Sequence, residues 1–412
     1  MEAPRTFPSL AICGEVGALR VFVEGMKKLK CIADEHRGHF RSEGFVRFFG
    51  MLQQELCDEY FGAILDHLRR LEFRDGVLVS AELGEGNKGI NYVLRTPSLR
   101  ESERITHTSD GSGPVYGFEV NKRDDGGARA LSELRDRSVA RVASTLIQST
   151  KDILGFFQAL KTEAGFYVGC LNLRDKLARR GKPICTPLLS AVDQPLLDAR
   201  GLFDPCLALR LESNAIGNDV VAADKKFVIV TGVNQGGKST FLRSLGTAQL
   251  MMQCCMFVAA NRFSANISTG IFTHFKREED SAMQSGKLEE ELNRMSEIID
   301  RIKPRSLLLC NGSFSSTNER EGSEIGQEVI QALLAAGVRV FLVTHLFKLA
   351  NAYHSWDATD VLFLRAERKE DGQRPFRIIE GEPLPTTYGQ DLYEQSKAAD
   401  KTVKVPSLGF TS

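Results

Sequence analysis

The chain has 412 residues, 42% apolar and 26% charged, the make-up of a globular protein with room for two or three domains. Lys plus Arg and Asp plus Glu are equal at 53 each, so net charge neither calls for nucleic acid nor excludes a basic face balanced elsewhere. Nine cysteines with no CxxC pair argue for free thiols in a reducing cytosol over disulfides or zinc, and without a signal-peptide pattern or the about 20 consecutive apolar residues of a membrane span the expectation is a cytoplasmic protein without membrane contact.

From about residue 17 to 71 apolar residues recur at helical spacing: Leu19, Phe22, Val23, Met26, Leu29 and Ile32, then Phe45, Phe48, Phe49, Leu52, Leu56, Phe61, Leu65 and Leu68. This predicts long amphipathic helices packed on one another. The period then changes. Residues 77–83 and 90–94, on either side of Gly84-Glu85-Gly86-Asn87, predict a β-hairpin. Residues 96–127, rich in Ser, Gly, Asp and Arg, predict a flexible excursion with one more strand at 115–120. Helix returns from about 130 to 180, with Leu131, Leu134, Val139, Val142, Leu146, Ile153, Phe156, Phe157 and Leu160 as the expected apolar face. Lys182-Pro183 and Thr186-Pro187 break it, and a domain boundary is expected there, between 1–182 (with a strand-rich insertion at about 73–127) and 183–412.

Beyond that boundary the grammar is α/β. Residues 226–231, 306–310 and 338–344 are short apolar runs suited to fully buried parallel strands, with helical stretches between them. The run 250–258, containing Cys254 and Cys255, reads as buried helix. With the glycine-rich run 232–239 directly after the first of these strands, the expected fold class is an α/β P-loop NTPase domain, a mostly parallel sheet with helices on both faces, preceded by a mainly helical domain with a small β insertion.

The strongest chemical signal is Gly232-Val233-Asn234-Gln235-Gly236-Gly237-Lys238-Ser239, which follows a strand and opens a helix at Thr240. Its glycines let backbone amides converge on an anion, and the helix N-terminus adds its positive end. In such a loop Lys238 reaches the terminal phosphates of ATP and Ser239 ligates Mg2+. At the end of the second strand, where such proteins hold an Asp for magnesium and often a Glu for water, this chain has Asn311 and Gly312. Asn311 keeps a carbonyl oxygen for the metal or its waters, whereas Gly312 offers no acid or base. The third strand ends at Thr344-His345, placing His345 where ligands gather in open α/β sheets and where it could sense phosphate or orient water.

The run Thr231-Gly232-Val233-Asn234-Gln235-Gly236-Gly237-Lys238-Ser239-Thr240 resembles the phosphate loop of the MutS family of mismatch-repair ATPases. Further likenesses follow in order: Phe257-Val258-Ala259-Ala260, Gly270-Ile271-Phe272-Thr273, Ser285-Gly286-Lys287, the stretch 314–322, Thr344-His345 and Tyr388-Gly389. Upstream, Asn218-Asp219-Val220 is similar to the family segment beside the adenine, and the long helices look like its lever and clamp region. Phe22-Val23-Glu24 matches the family's mismatch-reading wedge in letters, but its helical setting makes it core. The resemblance implies a short relative with core and ATPase regions only, acting as a homodimer in which Ser285 and Gly286 approach the partner's nucleotide. It also implies double-stranded DNA as a partner, in mismatch or damage repair. Basic clusters at 69–70, 135–137 and 174–180 would touch phosphates or simply be solvated helix faces.

Two functions follow. One is an ATP-switched, DNA-binding dimer whose hydrolysis is slow or absent unless Glu321 or Glu289 supplies the missing carboxylate. The other is a nucleotide-dependent dimerisation or scaffold protein that has lost hydrolysis and DNA contact. A small-molecule kinase is third, since no acceptor-binding lid is recognisable.

Overall fold

The computed structural model describes residues 7–74, 76–87, 89–95, 119–121, 123–190, 196–211, 215–276, 286–355 and 359–384. The chain folds as two compact units, Met1–Gly165 and Phe166–Ser412. Among the described residues no helix is long and apolar enough to cross a membrane.

The first unit holds helices α1 (Pro8–His36), α2 (Glu43–Glu55) and α3 (Asp58–Arg70), then the antiparallel hairpin β1 (Val79–Leu83) and β2 (Gly89–Leu94). Its core follows the stripe predicted by spacing, Leu19 and Val23 from α1 meeting Phe49 and Leu52 from α2 and Phe61 and Leu68 from α3, and extends it to Val16. Phe22 stacks on Phe157 with ring centroids 5.7 Å apart and Val23 is 2% exposed, so the Phe22-Val23-Glu24 triplet lies within a helix, as core. The first turn of α1 is anchored by Ser9, whose amide and hydroxyl both donate to Asp136, at 3.1 and 2.6 Å.

Helix α4 (Asp125–Arg179) is divided between the two units, which meet at Gly165 in the chain. Its expected apolar face is only partly buried. Val139, Ala143 and Leu146, spaced three and four apart, pack into the first core, but Leu131 is 49% and Phe156 40% exposed. Periodicity counted every apolar residue, whereas only one narrow stripe of this helix has neighbours to pack against. The strand expected at 115–120 lies almost wholly outside the described residues, as does most of the 96–127 excursion.

The second unit continues with β3 (Leu188–Leu189), β4 (Leu197–Leu202), α5 (Pro205–Arg210), β5 (Asn218–Val221) and β6 (Phe227–Gly232). Helix α6 (Lys238–Gln253), β7 (Arg262–Ala265), β8 (Ile271–Phe275), α7 (Lys287–Ile299) and β9 (Leu307–Asn311) follow. The last elements are α8 (Glu319–Ala335), β10 (Arg339–Val343), α9 (Phe347–Ser355), β11 (Val361–Ala366) and β12 (Ile378–Glu380). The main sheet has the order β12-β11-β6-β10-β9-β8, parallel except for the antiparallel edge strand β12. A smaller sheet, β3-β7-β4-β5, joins it.

Both faces of the main sheet are covered, as the continuous apolar strands require. On one face Val228, Val230, Leu309 and Phe341 pack with Phe241, Leu242 and Leu245 of α6. On the other, Phe227, Ile229, Leu308 and Leu342 pack with Met295 of α7, Ile330 and Leu333 of α8 and Leu349 of α9. Each such side chain contributes about 1.5–3 kcal/mol on burial, so the central strand β6 is held firmly at its carboxyl end, where the phosphate loop begins.

The buried helix expected over 250–258 is corrected. Helix α6 stops at Gln253, and Cys254 and Cys255 are exposed. Cys255 takes a left-handed φ of 57°, with its amide on Met252 O and the Met256 amide on Met251 O. This is a Schellman ending, in which two otherwise orphaned carbonyls are satisfied and the chain turns toward the small sheet, where Val258 bridges Cys185.

Candidate functional site

The loop between β6 and α6 is shaped by its glycines. Gly237 caps α6 at φ 90°, a left-handed conformation that side chains with a Cβ rarely take. Lys238 then starts the helix with its chain folded back over the loop. It is 5% exposed and its Nζ donates to the carbonyls of Gly232 and Val233, at 2.8 and 2.7 Å. Burial, with a smaller contribution from the charge of Arg374, lowers its pKa to about 8. A buried ammonium held only by neutral carbonyls is prepared for an anion.

Asn311 ends β9 and Val343 ends its parallel neighbour β10, placing both at the loop's side of the sheet. The Ser239 hydroxyl donates to Asn311 Oδ1 at 3.0 Å. The two residues expected at a magnesium ion are therefore adjacent, and both present oxygens of the hard kind that magnesium takes. Gly312 follows at φ 70°, its amide on Val343 O at 2.9 Å. His345 opens onto the same cleft, its pKa lowered by burial first and then by Lys238 and Lys276.

Lys238, Ser239 and His345 line one cleft of about 530 Å³, within the range of small-molecule sites, which Asn311 meets through its bond to Ser239. Asn234, Gln235, Gly236, Gly237, Lys238, Ser239, Thr240 and His345 form its polar end, while Leu207, Leu211, Ile216 and Phe376 form an apolar end. Asn218 lines it too. Its side chain accepts from the Ile378 amide at 2.7 Å and donates to Phe376 O at 3.4 Å, so it fixes the segment that carries Phe376. Phe376 is 51% exposed, an aromatic face open to solvent beside a phosphate loop. Sequence reasoning missed Phe376, Ile216, Leu207 and Leu211. The only available signal was an aromatic residue inside the charged segment 367–377.

Neither Glu321 nor Glu289 lines this cleft, and no Asp or Glu does among the described residues. Glu321 is exposed and held below the usual carboxylate range by the Thr317 hydroxyl, at 2.6 Å, and then by Asn318. Gly286 is exposed just before α7, whereas Ser285 and Tyr388-Gly389 lie outside the described residues.

A model of the MutS2 N-terminal domain matches residues 3–180, and a model of MutS domain V matches residues 228–405. The chain belongs to the MutS family. It is 28% identical to the DNA mismatch repair protein MutS of Thermotoga neapolitana over 186 residues, 44% of this chain and 23% of that one. To the endonuclease MutS2 of Lacticaseibacillus casei it is 27% identical over 221 residues, 52% of this chain and 27% of that one. To the human MutS protein homolog 4 it is 29% identical over 140 residues, covering 34% of this chain and 15% of that one. The match thus spans between 15% and 27% of these relatives' own lengths. Asn311 and Gly312, the departure from the MutS pattern, stand at the carboxyl end of β9, where Asn311 Oδ1 accepts from the Ser239 hydroxyl.

Proposed function

We propose that this MutS-family chain is an ATP-binding switch with impaired hydrolysis. The observation that carries this reading is the cleft in which the buried Lys238, Ser239 with its hydroxyl on Asn311, and the open face of Phe376 converge. Lys238 and the loop amides of 236–239 would hold the β- and γ-phosphates, with Ser239 and Asn311 around magnesium. Mg2+ supplies positive charge that neutralises the phosphates. His345, kept neutral by its surroundings, would accept or donate a hydrogen bond at the terminal phosphate. Phe376, with Ile216 and Leu207, would form the surface for the adenine, and Asn218 would position Phe376.

Calorimetric titration with ATP tests the reading directly, and Phe376→Ala separates its two halves. Base–aromatic stacking is worth about 1–3 kcal/mol, so ATP affinity should fall roughly 5- to 150-fold while affinity for inorganic triphosphate stays put. Equal losses for both ligands would remove Phe376 from the base site.

Homodimerisation is part of the proposal, with Ser285 and Gly286 completing the partner's site. Dimer fraction followed against ATP, with and without DNA, tests it; a fraction that never responds to ATP leaves only a monomeric nucleotide binder. Double-stranded DNA is the proposed partner of the first unit. There, Arg20, His67, Arg69, Arg70, Arg74 and Arg95 surround a cleft of about 850 Å³. Among the described residues its only lining carboxylate is Glu72, shared by Arg20 and Arg74. In the 174–180 cluster, Arg180 donates to Ala208 O and Leu211 O and Arg174 pairs with Asp175.

Duplex binding should therefore weaken steeply with salt, and Arg69→Glu with Arg95→Glu should flatten the log–log slope by about 2. An unchanged slope would move any DNA contact elsewhere and favour the scaffold reading, which the lack of a described carboxylate in the ATP cleft also supports.

A further inference from the structure

Behind the magnesium-facing strand end lies a buried polar group that nucleotide binding does not use. His274, on β8, stands opposite Cys310 of β9 and is fully buried. Its Nδ1 lies 2.6 Å from the Ser313 hydroxyl and its Nε2 3.1 Å from the Glu291 carbonyl. Burial pushes the ring below its ordinary pKa, so it carries one N–H. Since the Glu291 carbonyl can only accept, that proton is on Nε2, and the Ser313 hydroxyl, which also lies 3.2 Å from the His274 carbonyl, donates to the nearer Nδ1. Glu291, in the second turn of α7, is 3% exposed and takes the Phe314 amide on its Oε1.

The two arms meet on Ser313 and Phe314, the residues directly after Asn311 and Gly312. Phe314 is fully buried, its ring tilted only 24° from that of His274. On its other side it packs so closely on α8 that a Cβ at Gly322 would lie 2.1 Å from Phe314 O. The turn is therefore tied to β8, α7 and α8 together. It cannot shift alone. Meanwhile Glu291 Oε2 is buried with no hydrogen-bond partner among the described residues. A buried carboxylate oxygen without a partner is a cost that stapling a loop does not require, because a neutral side chain would staple it as well.

A Ser239 hydroxyl that takes a metal on a lone pair keeps its proton for Asn311 Oδ1, so metal–nucleotide binding would disturb the end of β9 through this hydrogen bond. We propose that Glu291 and His274 are positioning residues that pass this disturbance from Asn311–Phe314 to α7, the helix that begins beside Gly286. The coupling rests on the ATP-switch reading above. It makes α7 respond to nucleotide within one chain, through backbone and side-chain hydrogen bonds, without a catalytic carboxylate at position 312.

Hydrogen exchange on the full chain tests this, with Mg2+ and the non-hydrolysable analogue adenylyl imidodiphosphate, at a concentration where light scattering shows single chains. In the unaltered protein the analogue should slow exchange in the phosphate loop, in 312–315 and in α7, the last by on the order of fivefold or more. Glu291→Ala should keep the phosphate-loop protection and lose that of α7, and Glu291→Gln, which still offers an oxygen to the Phe314 amide, should restore it. Ser313→Ala cuts the other arm by removing one oxygen, and carries the test if Glu291→Ala does not fold. Protection of α7 that persists in both alanine variants overturns the proposal. So does an unaltered chain that protects its phosphate loop but not α7, with the ATP reading left standing. If the phosphate loop itself is unprotected, the ATP reading fails and the coupling with it.

Discussion

Lys238→Ala is expected to weaken ATP binding by roughly 10- to 150-fold, the equivalent of one charge-assisted hydrogen bond at about 1.5–3 kcal/mol. The fold should tolerate the change, because among the described residues the Lys238 ammonium donates to two backbone carbonyls and to no carboxylate. Its lowered pKa makes a second, sharper prediction. The folded value is about 8 against an unfolded 10.5, so between these limits the unfolded chain binds more protons and stability rises with pH. Below about pH 8 the full cost of burying the charge is present. Bound phosphates favour the ammonium, so above that pH binding takes up a proton and affinity should fall by up to about tenfold per pH unit. Calorimetry between about pH 7.5 and 9.5 reads both the affinity and the proton uptake. A flat profile, shared by the alanine variant, would show that Lys238 does not meet the phosphates.

Turnover is the second large effect. With no carboxylate at 312 and none lining the cleft among the described residues, hydrolysis should run about 10²- to 10⁴-fold below that of a site with a placed general base. Restoring the missing side chain should not restore the rate. Gly312 sits at φ 70°, so Gly312→Glu forces a left-handed conformation costing about 1–2 kcal/mol, a melting temperature roughly 2–8 °C lower. The space itself is open, the nearest atoms to an added Cβ being 3.8 Å away, so strain and not collision is the obstacle. Asn311→Asp is the milder change. It keeps the shape that receives the Ser239 hydroxyl and adds a charge, so the magnesium needed for half-maximal ATP binding should drop about tenfold. Brisk Lys238-dependent turnover in the unaltered chain would sink the impaired-hydrolysis reading.

Much of this was legible in the residues. The helical stripes of α1 to α3, the hairpin, and the three buried parallel strands all follow from spacing, because each depends on neighbours close in the chain. The phosphate loop was legible for the same reason. A strand, a set of glycines and a helix start occupy consecutive positions, so the anion site is a local structure. Where local rules competed, reading failed. The apolar run at 250–258 invited helix, but a left-handed Cys255 that satisfies two helix-end carbonyls ended it at Gln253. Leu131 and Phe156 fit a helical face that stays largely exposed among the described residues.

The residues by themselves determined the strand, glycine loop and helix start at Gly232 to Ser239, the proposed anion cradle, and put Asn311 and Gly312 at the end of β9. Tertiary structure alone decided what surrounds that cradle. Phe376 reaches it from the connection between β11 and β12 and Asn218 from β5, Glu321 and Glu289 stay away from it, and Glu291 with His274 binds the turn behind it. The reason is the reach of the interactions. A helix start or a buried strand is fixed by contacts within a few residues, whereas the wall of a cleft is assembled by sheet order, and sheet order is not written in any short window.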